Sequence, residues 1–208
     1  KFTDLNGDGK IKNGSAVVGD SGDMEVIGNS TPRYQYGLRL GVDYKGIDFS
    51  VFFQGVGKRD IWGDGFLAIA GYNSSDGAMP QTFAGDFWKE DRTEAFYPRA
   101  YNNAGSAKSN NMQVQSRYML DMYYFRVKNI TVGYSLPKDI IKKAYLSNAR
   151  IYMSVENFFT FDNLRDLPID PESVSGYSMF NSSNYNSGRT GVGSPLFKSL
   201  SVGAQLTF

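Results

Sequence analysis

Five stretches of this chain alternate between apolar and polar residues with a period of two. In residues 33–44, Tyr34, Tyr36, Leu38, Leu40, Val42 and Tyr44 fall on one side, and Arg33, Gln35, Gly37, Arg39, Gly41 and Asp43 on the other. Side chains two apart share a face of a strand, so this pattern predicts one apolar and one polar face. The apolar face has tyrosines at both ends and aliphatics between, the order a bilayer selects, because amphipathic rings favour its two interfacial levels. Residues 47–55 set Ile47, Phe49, Val51 and Phe53 against Asp48, Ser50 and Gln54, with Phe52 as the exception. Residues 123–136 set Ile130, Val132, Tyr134 and Leu136 against Asn129, Thr131, Gly133 and Ser135. Phe125 and Val127 are one residue out of phase with them, so a β-bulge is expected near Lys128-Asn129. Residues 149–156 (Ile151, Met153, Val155 against Arg150, Tyr152, Ser154, Glu156) and 199–208 (Leu200, Val202, Ala204, Leu206, Phe208 against Ser199, Ser201, Gly203, Gln205, Thr207) complete the series.

The connections alternate as well. Lys45-Gly46 is a tight turn, and residues 137–148 are short, with Ile140, Ile141, Ala144 and Tyr145 spaced for one or two helical turns. Residues 58–111 and 157–195 are long Gly/Asn/Ser-rich excursions. Such loops are uncommon in compact soluble domains, whereas short turns at one end and long loops at the other are the habit of outer-membrane barrels. A soluble β-sandwich also has one apolar and one polar face per strand. The tyrosine girdle, the one-sided loop lengths and the aromatic Phe208 favour the barrel.

Composition narrows the chemistry. The 208 residues include 14 Tyr, 15 Phe and 23 Gly, a balance that favours strands and turns over helices. A net charge of +1 leaves no electrostatic footprint for nucleic acid. There is no Cys, hence no disulfide framework, and no His, the commonest general base and zinc ligand. No apolar run approaches the roughly 18 residues of a transmembrane helix, but barrel strands need only about 9–11 alternating ones. The chain begins at Lys1 without Met or signal peptide, so it reads as a fragment or a processed product.

Along these strands an ordered series of motifs resembles the SusC/RagA-type TonB-dependent transporters. It runs Asp4-Leu-Asn-Gly-Asp-Gly-Lys-Ile11, Ile27-Gly-Asn29, Pro32-Arg-Tyr-Gln-Tyr-Gly37, Tyr44-Lys-Gly-Ile-Asp-Phe-Ser50 and Phe52-Phe-Gln-Gly-Val-Gly-Lys-Arg-Asp60. Tyr97-Pro-Arg99, Asn110-Asn111, Phe125-Arg-Val-Lys-Asn-Ile-Thr-Val-Gly-Tyr-Ser-Leu-Pro137, Asn157-Phe-Phe-Thr160 and Asp170-Pro-Glu172 follow. The resemblance implies an all-β, transmembrane antiparallel β-barrel of 22 strands with a plug inside, of which this chain would supply about the last five strands. It implies a cell outer membrane, multi-pass location and no enzymatic activity. The implied function is TonB-dependent import of an oligosaccharide or oligopeptide. The implied partners are a SusD-like surface lipoprotein, the TonB-ExbB-ExbD complex, the barrel assembly machinery and outer-membrane lipid. Residues 1–32, 58–116 and 157–195 would be extracellular loops, 33–57 a hairpin, 117–156 a hairpin with a short periplasmic helical turn, and 196–208 the final strand. From another functional class, a secreted calcium-dependent carbohydrate-binding β-sandwich stands as the alternative.

Several clusters are candidates for chemistry. Asp4, Asn6, Asp8 and the Lys10 carbonyl match the first half of a calcium loop, but Ser15 stands where the bidentate Glu belongs. Asp20, Asp23 or Glu25 would have to replace it; a metal-free cluster of Asx turns is the simpler reading. Any Ca2+ there would be structural. Asp162, Asp166, Asp170 and Glu172 are read as solvated loop charges rather than a glycosidase pair. Trp62, Phe66, Tyr72, Phe87, Trp88, Phe96, Tyr97 and Tyr101 form a small core within the first long loop or a contact with a partner, in preference to a sugar platform. Arg33, Arg39, Asp43, Arg150 and Glu156 would wet the barrel lumen, and Arg33, Gln35, Gln54 and Glu156 are the candidates for substrate or plug contact. Phe208, in phase with the lipid-facing side, is the candidate assembly signal.

Overall fold

The computed structural model describes residues 2–15, 17–63, 69, 81–99, 113–172 and 196–208. Five long strands form a single antiparallel sheet in the order β1 (Arg33–Tyr44), β2 (Ile47–Lys58), β5 (Tyr124–Ser135), β6 (Asn148–Asp162) and β7 (Ser199–Thr207). Between β2 and β5, the short strands β3 (Asp60–Trp62) and β4 (Met119–Asp121) pair with each other. The second sheet that a sandwich requires does not face the five-stranded one among the described residues.

The register turns the alternation of each strand into continuous rows. Leu40, Val51, Ile130, Val155 and Leu200 stand side by side, and one step away so do Gly41, Ser50, Thr131, Ser154 and Ser201. Paired residues point to the same face, so one side of the sheet is apolar and the other polar. The apolar side is uncovered: Leu40 is 51% exposed and Leu200 62%. Its two ends carry aromatic rings. Tyr36, Phe53 and Phe161 each pack on Phe125 toward the long loops, and Tyr44 and Tyr134 stand near the short turns.

Both short connections follow from local chemistry. Lys45 and Gly46 have φ of 48° and 84°. A two-residue hairpin with positive φ at both positions matches the twist of the flanking strands, and glycine makes the second position inexpensive. After β5, Pro137 precedes a single helical turn, α1 (Lys138–Ile141), and a 3-10 turn closed by Tyr145 in the left-handed region. Ile141 is buried there, while Ile140 and Tyr145 remain exposed.

The expected bulge is present. Pairing of β5 with β2 and with β6 shifts around Lys128, between Val127 and Asn129. The extra residue lets Phe125 and Val127 share the apolar face with Ile130 and Val132 despite their difference in phase. Strand β6 also departs from the sequence expectation. It continues past Glu156 to Asp162, through Asn157 at φ 54°, so residues 157–162 are strand rather than loop. Phe159 and Phe161 pair there with Val127 and Phe125. A residue with positive φ interrupts a simple alternation, which hides the continuation from a reading by period alone.

The buried core lies at the long-loop end, away from the sheet. Ile61, Ile69, Phe83 and Tyr97 from the first excursion, with Tyr118, Leu120 and Met122 from the stretch before β5 that was expected in the 117–156 hairpin, pack with Leu164, Leu167 and Ile169 from the second excursion. Trp62, Phe87 and Phe96 pack against this cluster, as the small-core reading of the aromatics requires, while Phe66, Tyr72 and Tyr101 lie outside the described residues. The two excursions are therefore one cap.

In a bilayer, Leu40→Arg should cost about 2–4 kcal/mol of folding free energy, while Arg39→Ser on the opposite face should cost far less. Denaturant titration of the complete protein in lipid vesicles measures both. The reverse ranking would mean that the faces are exchanged.

Candidate functional site

The polar face is the surface that can meet a water-soluble ligand. On it Asp43, Asp48, Gly133, Tyr152 and Gly203 form one row. Arg150, from the neighbouring row, reaches across Gly133 to Asp48, donating from both Nε (2.8 Å) and Nη2. A Cβ at Gly133 would collide with the Arg150 guanidinium, so the missing side chain makes the cross-strand pair possible. Arg150, one of the charges expected on this wall, thus pairs with Asp48, which the alternation placed on the polar face but which was not among those charges.

Closer to the long loops, the bulge gathers more charge. Arg126 and Lys128 both stand on the polar face, although strict pairing has room for only one of them before Asn129. Arg126 is 3% exposed. Its Nε donates to Thr160 Oγ1 (2.8 Å), Nη1 to Glu172 Oε2 (2.6 Å) and Nη2 to Asp170 Oδ1 (2.9 Å). Its guanidinium lies over the Tyr124 ring, 5.6 Å from the centroid. Lys128 Nζ donates to both Glu172 oxygens at 3.1 Å. The Glu172 N–H in turn donates to Asp170 Oδ1 (2.9 Å). Asp170 and Glu172 are therefore clamped against the wall, which corrects their reading as solvated loop charges. Charge-assisted bonds at these lengths are the strong kind, and each carboxylate is engaged by cations rather than poised as an acid or base. No local signal flags the partnership, because the cations and the carboxylates lie 44 residues apart.

Of the four residues expected to contact substrate or plug, two come together. Gln35 and Gln54 line a cavity of about 420 Å³ with Tyr124, Arg59, Pro171 and Glu172. The Gln54 amide donates to Tyr124 Oη (3.4 Å), and Arg59 Nε donates to the Ser30 carbonyl (3.0 Å). Arg33 pairs with Lys58 in register at the rim, and Glu156 accepts from Ser199 Oγ (3.0 Å) farther along the sheet. Neither lines that cavity.

The candidate calcium loop is closed by its own backbone. Asp4 accepts from the Gly7 N–H (2.6 Å) and the Gly9 N–H (2.8 Å), Asn6 from the Asp8 N–H (3.0 Å), and Asp8 from the Lys10 N–H (2.9 Å). Asp8 also pairs with Lys12 at 2.6 Å, placing a cation beside a would-be ligand. Asp23 folds back to accept from the N–H groups of Leu5 (2.7 Å) and Lys12 (2.9 Å). Among the described residues no three His, Cys, Asp or Glu side chains form a metal-sized group. The bonds from Asp8 N–H to Asn6 and from Lys10 N–H to Asp8 are Asx turns.

No protein-family model matches the sequence. The chain is 28% identical over 208 residues to TonB-dependent receptor P3 of Formosa agariphila, an alignment covering 100% of this chain and 19% of that protein. TonB-dependent receptor P26 of the same organism is 26% identical over 220 residues, again covering 100% of this chain and 19% of the relative. The fold matches the RagAB peptide importer in its closed-closed state with a TM-score of 0.61 and 19% identity, over 91% of this chain and 18% of that one. The open-open state gives a TM-score of 0.56 and 20% identity, over 86% of this chain and 17% of that one. Along its whole length the chain is thus similar to TonB-dependent receptors, and its fold is similar to a sector of a RagA-type barrel. It spans about a fifth of the length of the curated receptors it matches. The five-stranded sheet matches in fold a sector of such a β-barrel, with one apolar and one polar face.

The described residues between 2 and 25 are held by carboxylates whose titration can be followed. The Lys12 ammonium and the Lys10 N–H hold the Asp8 carboxyl below its ordinary 3.8. The N–H groups of Lys12 and Leu5 do the same for Asp23, and Ser15 for Asp20. A depressed folded-state pKa stabilises above the ordinary value and is lost as pH falls through the depressed one. A spin label at Val18→Cys, an exposed site, should therefore keep its mobility unchanged from pH 7 to pH 5 and loosen only below about pH 3.8. Asp23→Asn should loosen it already at neutral pH, and equal mobility in the two proteins would show that Asp23 does not close the loop.

Proposed function

We propose that this chain forms part of the wall of an importer that carries a bulky nutrient, an oligosaccharide or an oligopeptide, across the outer membrane. The observation that carries the reading is the sheet itself: one face apolar with aromatic ends, the other polar, and both long excursions packed into one cap at a single end. A wall of that design separates lipid from a wetted passage and closes the passage at one mouth. The resemblance to the RagAB peptide importer supports a passage wide enough for an oligomer. Import then draws on a SusD-like surface lipoprotein at the cap, and on the TonB-ExbB-ExbD complex through parts of the receptor outside this chain. Gln35 and Gln54 are the wall residues best placed to touch cargo or plug, since amides donate and accept hydrogen bonds without carrying charge. No step of the proposal needs catalysis by this chain.

Orientation is part of the same reading: the cap faces outward and the short turns face the periplasm. In intact cells, Glu90→Cys in the cap should react with an impermeant maleimide and Lys142→Cys in the short connection should not. Labelling of Lys142→Cys alone would invert the receptor and end the proposal. Uptake decides the rest. Cells lacking the complete receptor should lose import of its oligomeric nutrient while keeping import of the monomer, and unchanged oligomer uptake would refute the assignment.

Phe208 belongs to this proposal through assembly. Its ring is 89% exposed, while Ser147 Oγ donates to the Phe208 carbonyl (3.3 Å) and the Ser147 N–H to the Thr207 carbonyl (2.8 Å). The backbone is thus pinned and the ring is presented outward, as recognition by the barrel assembly machinery through an exposed strand requires. Phe208→Ser in the complete receptor should lower the amount inserted in cells yet leave the heat resistance of inserted molecules nearly unchanged. A parallel fall in both would reduce Phe208 to one more interfacial ring, worth about 1 kcal/mol.

A further inference from the structure

The cavity beside Gln35 and Gln54 has one wall that the sheet does not provide. Pro171 and Glu172 make it, and they belong to the second excursion rather than to a strand. Ile169 is tucked into the cap core, but beyond it the hydrogen bond from the Glu172 N–H to Asp170 is only local. What ties this segment to the sheet is the pair of cations on β5. We propose that Arg126, assisted by Lys128, is a positioning residue that latches the segment Asp170-Pro171-Glu172 to the luminal wall and so builds the closed side of the Gln35–Gln54 cavity. The inference rests on reading the polar face as lumen.

Three features make the latch specific. Arg126 is almost fully buried, and a guanidinium in that position persists only while its donors are matched. Thr160 orients it from β6, and both carboxylates come from one three-residue stretch, so the fork geometry reads the segment rather than a single charge. Lys128 joins only because the bulge gives β5 one residue more than strict pairing allows. The Tyr124 ring beneath Arg126 carries the hydroxyl that accepts from Gln54, so the same guanidinium supports the cavity from below and from the side. Arg126 itself does not line the cavity. With Glu172 neutralised by two cations and Arg59 donating to the Ser30 carbonyl, the amides of Gln35 and Gln54 suit the cavity to a hydrogen-bonding part of the cargo.

The test uses the complete receptor with Gln54→Cys as reporter, labelled by a bulky polyethylene-glycol maleimide in outer-membrane preparations. Arg126→Gln should speed labelling by about tenfold or more, because breaking a buried ion pair leaves an uncompensated charge that drives the segment off the wall. Asp170→Asn with Glu172→Gln should do the same, and the combination of all three should be no faster than either set alone, since they break one interaction. Heat resistance of the barrel, measured on the same samples, should stay near that of the parent. The latch is refuted if labelling is unchanged, if the two sets add independently, or if labelling rises only in proportion to lost heat resistance. A pair of small maleimides, one lipid-soluble and one charged, separates the underlying reading: if the lipid-soluble one outpaces the charged one in every background, Gln54 faces lipid, and both the wall assignment and the latch fall.

Discussion

A strand with hydrocarbon on one side and water on the other has no spare partners for its backbone. Each N–H and C=O must pair within the sheet, and the register that achieves this also decides which residues share a row. In this chain that constraint organises the rest. Because Leu40 stands beside Val51, Ile130, Val155 and Leu200, the apolar belt is continuous, and because Asp48 is one strand from Gly133, Arg150 can reach it. A slip of one residue in any strand would turn its whole apolar set into the water.

The bulge at Lys128 is where this strict alternation is relaxed, and charge accumulates there. One inserted residue corrects the phase of Phe125 and Val127 on the apolar side and adds a second cation on the polar side. The added charge is compensated by Glu172, which arrives from a distant part of the sequence. Backbone irregularity and buried ion pair thus depend on each other. Without Glu172 the extra ammonium would stand unpaired beside Arg126, and without the bulge Glu172 would meet a single cation.

The cap follows a different physics. Its residues leave the bilayer face of the sheet and must hide their own apolar surface, which they do by combining two excursions that neither pack alone nor belong to the same hairpin. Phe83 and Tyr97 from the first, with Tyr118 just beyond it, meet Leu164, Leu167 and Ile169 from the second. Hydrogen bonds also tie the excursions together, from Thr82 Oγ1 to the Asp166 carbonyl (3.2 Å) and from Asn163 Nδ2 to Asp121 Oδ2 (2.7 Å). A cap built in this way is tied to the wall beneath it through the same stretch that carries Asp170 and Glu172.

Local pattern was enough for the strands, for the Lys45-Gly46 turn and for the bulge, because period two and its interruption depend only on neighbouring residues. It was also enough to place Gln35 and Gln54 on the polar face. Tertiary structure alone decided what those residues meet. The continuation of β6 to Asp162 depends on pairing with β5 and on the positive φ of Asn157, which alternation cannot register. Asp170 and Glu172 look like solvated charges in one dimension, since nothing local distinguishes a free carboxylate from one whose cation lies about 44 residues away. Asp48 likewise became a partner of Arg150 only through two intervening register choices. Which face a residue occupies is written every second position along the chain, but which charge finds which is fixed only when separate strands and loops are brought side by side.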